Sequence, residues 1–148
     1  MALLPRKCIL AIAAVTDIAQ HCGDRPVSAK ALAARSGLAP RHLETVLQAL
    51  VREGILKGIR GPRGGYELAR ERERLTAEDI VRAASTADDN DPRLPASSVL
   101  ERAVMPALAE AEKAFAQALG RVSIEDLLRR AKVAGRPERP PRKAQSAL

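Results

Sequence analysis

A chain of 148 residues with a formal net charge of +7 fits one compact domain, or a small head plus a helical extension. Its hydrophobic fraction of 46% supports a core, but Tyr66 and Phe115 are its only aromatic side chains. That core must come from Leu, Ile, Val and Ala, and the scarcity of rings argues against single-stranded nucleic acid as ligand, since such sites stack bases on aromatics.

The first predicted helix covers residues 6–22, where Cys8, Ile12, Val15, Ala19 and Cys22 recur at steps of three and four. Its apolar run from Cys8 to Val15 is short and meets Thr16 and Asp17, unlike a secretory signal. No run reaches the ~20 apolar residues of a membrane-spanning helix. A cytoplasmic location with reduced thiols and no membrane partner is expected. Gly23-Asp24-Arg25-Pro26 ends the helix.

Ser28 can cap a second helix over residues 29–35, and Gly37 suits the left-handed position that ends one. Pro40 stands where a third helix starts and its missing N–H is harmless. This helix runs to about residue 53, with Leu43, Val46, Leu47, Leu50 and Val51 as its expected buried face and Gly54 as its stop. Two helices joined by Ser36-Gly37-Leu38-Ala39 have the turn chemistry of a helix-turn-helix. Residues 55–59 and 66–68 then flank a Gly/Pro-rich turn and read as a hairpin, which in this position is a wing.

Thr76 and Asp79 start a helix over Ala77–Ala84. Residues 85–97 form a polar linker. Its Asp88, Asp89 and Asp91 read as solvated carboxylates, because the spacing matches no calcium loop. Ser98 and Glu101 then open a long helix that ends at Gly120, with Pro106 kinking it or shortening its first turns. Leu100, Val104, Leu108, Ala111, Phe115 and Leu119, with other apolar residues beside them, cover more than one face. Such a helix needs partners on two sides. A second subunit supplies them economically, the other arrangement being a core helix of the same chain. Ser123 and Asp126 begin a last short helix over residues 124–131, and the Pro-, Arg- and Lys-rich residues 135–148 read as a disordered basic tail. The expected fold is therefore mainly α with a small β-hairpin wing. Its domains are a winged helix-turn-helix head over residues 1–84, the linker, dimerisation helices over 98–134, and the tail.

The stretch Arg60-Gly61-Pro62-Arg63-Gly64-Gly65-Tyr66-Glu67-Leu68-Ala69-Arg70 resembles the wing signature of the Rrf2 family, the bacterial group of IscR, NsrR and CymR types. Pro26-Val27-Ser28, Leu43-Glu44, Leu50-Val51-Arg52-Glu53-Gly54-Ile55 and Thr76-Ala77-Glu78-Asp79-Ile80-Val81-Arg82-Ala83 agree with it. The resemblance spans about residues 1–131. It implies a winged-helix head, dimerisation through the long helix, and repression or activation of promoters. Members that carry an iron–sulfur cluster have three cysteines between the helix after the wing and the long helix. Residues 85–98 of this chain hold neither Cys nor His, so no cluster, metal or other cofactor is expected.

A helix-turn-helix reads the major groove with the N-terminal part of its second helix. With one face of the third helix buried, Pro40 lies at its tip and Arg41, His42, Glu44, Thr45 and Gln48 point outward. Arg can hold guanine, Gln adenine, and Glu can accept from cytosine N4. Glu44 also matches a family glutamate; the plainer alternative is a solvated residue paired with Arg41 or Gln48. Arg60, Gly61 and Arg63 form the wing tip, where arginine suits a narrow A·T-rich minor groove. Ser28 and Lys30 are candidate phosphate contacts at a helix start, with Arg52 and Lys57 as further cations nearby.

Charge agrees with duplex DNA as partner: residues 1–86 carry a net +5, residues 87–134 a net −1 and the tail +3. The tail cations read as solvated. Cys8 and Cys22, about 21 Å apart on one helix, read as small buried apolar residues, with thiol sensing across a dimer as the sharper alternative. No catalytic motif is present and no enzymatic activity is expected. The expected function is sequence-specific regulation of transcription, by repression, from a homodimer on a near-palindromic site. The rival is a winged helix that holds another protein. No residue identifies an effector, whether a small molecule or a redox signal.

Overall fold

The computed structural model describes residues 4–37, 39–87 and 100–135. Helices α1 (Arg6–His21), α2 (Ala29–Ser36) and α3 (Pro40–Arg52) are followed by strands β1 (Leu56–Ile59) and β2 (Gly65–Leu68). Helices α4 (Ala77–Ala84), α5 (Met105–Leu119) and α6 (Ile124–Ala134) follow among the described residues. The expected mainly helical fold with a hairpin wing is the fold observed.

The core gathers around α1, which packs against α2, α3, β2, α4 and α6. Neighbours on so many sides explain why its buried face is wider than one stripe: Ala11, Ala14 and Ile18 are buried along with Cys8, Val15 and Ala19, whereas Ile12 and Cys22 lie at the margin. Leu43, Leu47 and Leu50 of α3 meet α1 in the same aliphatic core as Ile55, Leu75 and Ile80. One expectation for α3 fails. Val51 is exposed and Ala49 is buried in its place. Near its C-terminal end α3 borders the hairpin, and Val51 faces the cleft there.

The caps account for the helix boundaries. Ser28 Oγ accepts a hydrogen bond from the Ala31 N–H at 3.1 Å, and Gly37 ends α2 with φ 67°, a left-handed backbone that costs glycine nothing. Thr76 with Asp79 and Ser123 with Asp126 both form complete capping boxes, at the starts of α4 and α6. The hairpin pairs Leu56 with Leu68 and Ile59 with Gly65. A third backbone segment joins it: the Val27 N–H donates to Tyr66 O at 2.9 Å and the Tyr66 N–H to Val27 O at 2.8 Å. Only glycine fits at position 65, where a Cβ would fall 2.3 Å from Val27 O.

Residues 100–104 are π-helical and lead into α5. Pro106, in the first turn of α5, lacks the N–H that would continue a regular ladder backward, in keeping with the predicted disturbance. The capping box expected at Ser98 and Glu101 and the basic tail lie outside the described residues or side chains. No residue of α5 is buried; Val104, Met105 and Leu108 are among the most exposed large apolar residues. α6, grouped with the dimerisation segment on sequence grounds, packs on α1 and places Ile124 and Leu128 in the hydrophobic core.

Candidate nucleic-acid interface

The core of α3 dictates which of its residues face outward. With Leu43, Val46, Leu47 and Leu50 buried, Arg41, His42, Glu44, Thr45 and Gln48 are all exposed on the opposite side, below Pro40 at the first helical position. Neither the Arg41 guanidinium nor the Glu44 carboxylate makes an ion pair or side-chain hydrogen bond among the described residues, so the pairing of Glu44 with Arg41 or Gln48 does not occur. Some arginines elsewhere are tied down: Arg35 to Asp17 at 2.7 Å, Arg82 to Glu78 at 2.7 Å and Arg129 to Asp126 at 2.6 Å. Surface pairs of that kind contribute little stability, but they do consume charge. The Arg41 guanidinium and the Glu44 carboxylate stay exposed to solvent.

The wing tip lies beyond the paired strands. Arg60 follows Ile59 and Arg63 precedes the glycines that start β2; both are exposed and neither makes an ion pair among the described residues. The Gly64 N–H donates to Gly61 O at 2.9 Å and closes the turn. Lys57 sits opposite Glu67 in the hairpin register and pairs with it at 3.6 Å, which leaves it a weaker candidate than Arg60. Lys30 is exposed in the first turn of α2, and Ser28 is half-buried and already occupied as the cap.

Two depressions flank the wing. The inner one, about 530 Å³, separates it from α3 and the start of α2, and is lined by Ser28, Val51, Ile59, Arg60 and Tyr66 among others. The outer one, about 320 Å³, runs between the wing turn and the end of α1 and contains Arg25, Arg35 and Arg63. Sequence reasoning missed Val51, Ile59 and Arg25 here. Val51 fits the apolar rhythm of α3 and so reads as core, and Arg25 sits in a breaker segment with no periodicity to orient it.

The two cysteines do not converge. Cys8 is buried, with Sγ 3.9 Å from Val81 O and 3.8 Å from Ser85 Oγ. Burial and then the Glu67 carboxylate push the Cys22 thiol above its ordinary pKa, the opposite of what a reactive thiolate needs. No helix of the described residues is long and apolar enough to cross a membrane.

A family model described as Rrf2, iron-dependent transcriptional regulator, matches residues 4–130. The protein rrf2 of Nitratidesulfovibrio vulgaris is 32% identical over 120 residues, covering 76% of this chain and 78% of that protein. The HTH-type transcriptional regulator CymR of Bacillus subtilis is 38% identical over 66 residues, 45% of this chain and 48% of its own length. Among solved structures, T. potens IscR superposes with a TM-score of 0.72 at 28% identity, over 93% of this chain and 94% of that one. The iron named in the family description finds no matching thiolate set here. The chain has two cysteines, one sealed in the core and the other beyond the far end of α1, and no group of three or more His, Cys, Asp or Glu among the described residues could hold a metal ion.

Proposed function

Because the chain belongs to the Rrf2 family of DNA-binding transcription regulators, we propose that it acts as a homodimer, laying α3 in the major groove and the wing in the adjacent minor groove of a near-palindromic promoter site, and that it represses there. The observation that carries this reading is an exposed polar face on a helix that borders the wing. Arg41, Glu44 and Gln48 are exposed on α3, Arg60 and Arg63 are exposed on the wing turn with no ion pair among the described residues, and Val51 of α3 lines one cleft with Arg60. Arg41, Glu44 and Gln48 supply base-edge chemistry, Arg60 suits a narrow A·T groove, and Lys30 with the α2 start suits phosphate.

Dimerisation is supported by α5, where no residue is buried and Leu108 is 52% exposed. A helix so apolar gains by covering that surface, at about 25 cal/mol per Å². Two-fold pairing would present two heads to two half-sites about one helical turn, or a multiple of it, apart. The rival reading, a head that holds another protein, calls for an apolar outward face on α3, whereas Arg41, His42, Glu44, Thr45 and Gln48 are exposed there and Val51, at its C-terminal end, is the exposed apolar residue among them.

The test is to capture duplex fragments of the source genome with the full chain, sequence them, and sediment the complex formed on the recovered site. The reading expects a two-fold symmetric motif carrying two protomers. An asymmetric motif bound by one protomer, or no enriched motif, overturns it.

A further inference from the structure

We propose that the outer groove beside the wing, between Arg25 and Arg63, seats a second phosphodiester backbone, so that the duplex straddles the wing and Arg25 is a phosphate-contacting residue. The inference rests on the DNA-binding reading above and extends it beyond the helix-turn-helix and the wing tip.

The geometry is that of a wall between two channels. Ser28 and Gly64 line both depressions, so the start of β2 divides the inner cleft from the outer groove. A minor groove only about 6 Å wide has a phosphate ridge on each side. A hairpin that inserts its tip into that groove must therefore meet one ridge on each flank. The inner cleft takes the ridge that separates the minor groove from the major groove entered by α3. The outer groove takes the ridge of the opposite strand.

Charge places the phosphate at Arg25 and Arg63. The Arg35 guanidinium, although it lines the same groove, is held by both carboxylate oxygens of Asp17, with Nε at 3.1 and 3.0 Å. His21 Nδ1 lies 2.9 Å from Asp17 O and 3.5 Å from its carboxylate. Asp17 thus compensates one wall. Arg25 and Arg63 are exposed and make no ion pair among the described residues, including with Asp24, the chain neighbour of Arg25. Their positive charge is uncompensated at the mouth of the groove.

The walls are also pre-set. The paired hydrogen bonds between Val27 and Tyr66 fasten the segment after Arg25 to β2, and the Gly64-to-Gly61 bond closes the turn carrying Arg63. Little ordering is then needed on binding.

The experiment titrates the full chain with a captured genomic duplex and with random duplex across a salt series, comparing wild type, Arg25→Ala, Arg25→Lys and Arg60→Ala. Hydroxyl-radical protection is read on both strands. Loss of one phosphate contact should reduce the salt slope by about 0.9, equivalent to about eightfold at 0.1 M salt relative to a 1 M reference. Arg25→Ala should show this loss equally on both duplexes, since phosphate carries no sequence information, and should lose protection on one strand beside the wing. Arg25→Lys should keep most of the slope, because a point charge suffices. If Arg25→Ala retains the wild-type slope and two-strand protection while Arg60→Ala weakens binding, the groove is refuted and the DNA reading stands. An equal loss in Arg25→Ala and Arg25→Lys together with a lowered unfolding midpoint marks a structural role and also refutes it. Absence of salt-dependent duplex binding by wild type removes both.

Discussion

Thr76 and Ser123, the N-caps of α4 and α6, face each other as an isolated antiparallel bridge. The Ala77 N–H donates to Val122 O at 2.8 Å and the Ile124 N–H to Leu75 O at 2.9 Å, so two helix starts are zipped together by their own backbones. The joint fastens the returning end of α5 to the segment that leaves the wing. Each cap is completed by an aspartate: Asp79 Oδ2 accepts from the Thr76 N–H at 3.1 Å and Asp126 Oδ2 from the Ser123 N–H at 3.0 Å.

Removing either cap should therefore destabilise the head. Thr76→Ala or Ser123→Ala should each cost about 1 kcal/mol in urea unfolding, and the double variant should depart from additivity because the two caps share a joint. The backbone and side-chain hydrogen bonds of Ser123 hold the Asp126 carboxyl below its ordinary range. A lowered folded-state pKa gives stability that is complete above the unfolded carboxylate value and fades as pH falls through the lowered one. In Asp126→Asn that acid-side loss should be smaller than in wild type. An identical pH profile would remove the cap from the account.

Arg60→Ala should weaken binding to a captured site by roughly 10- to 150-fold, the equivalent of one charged hydrogen bond of about 1.5–3 kcal/mol. Preference for A·T pairs at the flank of the half-site should relax at the same time. Anisotropy titrations on duplexes differing only at that flank read both effects. Wild-type affinity with the preference intact would mean that the wing does not enter a minor groove.

Leu108→Glu should produce a monomer with a folded head, since no α5 residue is buried in the single chain. Its affinity for a two-half-site duplex should fall by about 10²- to 10⁴-fold as the linked second binding event is lost. Sedimentation velocity beside binding titration checks this, and a monomer with wild-type affinity would contradict it.

Hydrogen peroxide should leave DNA binding unchanged in wild type and in Cys22→Ser alike. Cys8 is sealed in the core, and burial with the Glu67 carboxylate pushes the Cys22 thiol up, away from the thiolate form that peroxide attacks. A peroxide response that disappears in Cys22→Ser would establish the sensing role set aside here.

The elements most legible in sequence were those marked by chemistry as well as rhythm. Pro40 at a first turn, Gly37 at a left-handed stop and Ser28, Thr76 and Ser123 as caps bounded their helices closely. The outward face of α3 followed once Leu43, Val46, Leu47 and Leu50 were taken as core. Rhythm failed where tertiary neighbours decide burial. Val51 keeps the helical period but ends at a cleft, and the buried stripe of α1 broadens because helices surround it. Arg25 had no signal at all, since a loop residue acquires its direction from the Val27–Tyr66 pairing that only the fold supplies. The apolar faces of α5 were readable, but not that α6 turns back onto α1.

The central claim is that the polar side of α3 and the arginine wing read a duplex by sequence. Its most direct measurement is a competition titration at several salt concentrations between a captured genomic duplex and the same duplex with its sequence shuffled. The account predicts preference for the captured duplex by about 10³-fold or more, with both affinities falling steeply as salt rises. Equal affinity for the two duplexes at every salt concentration would contradict it.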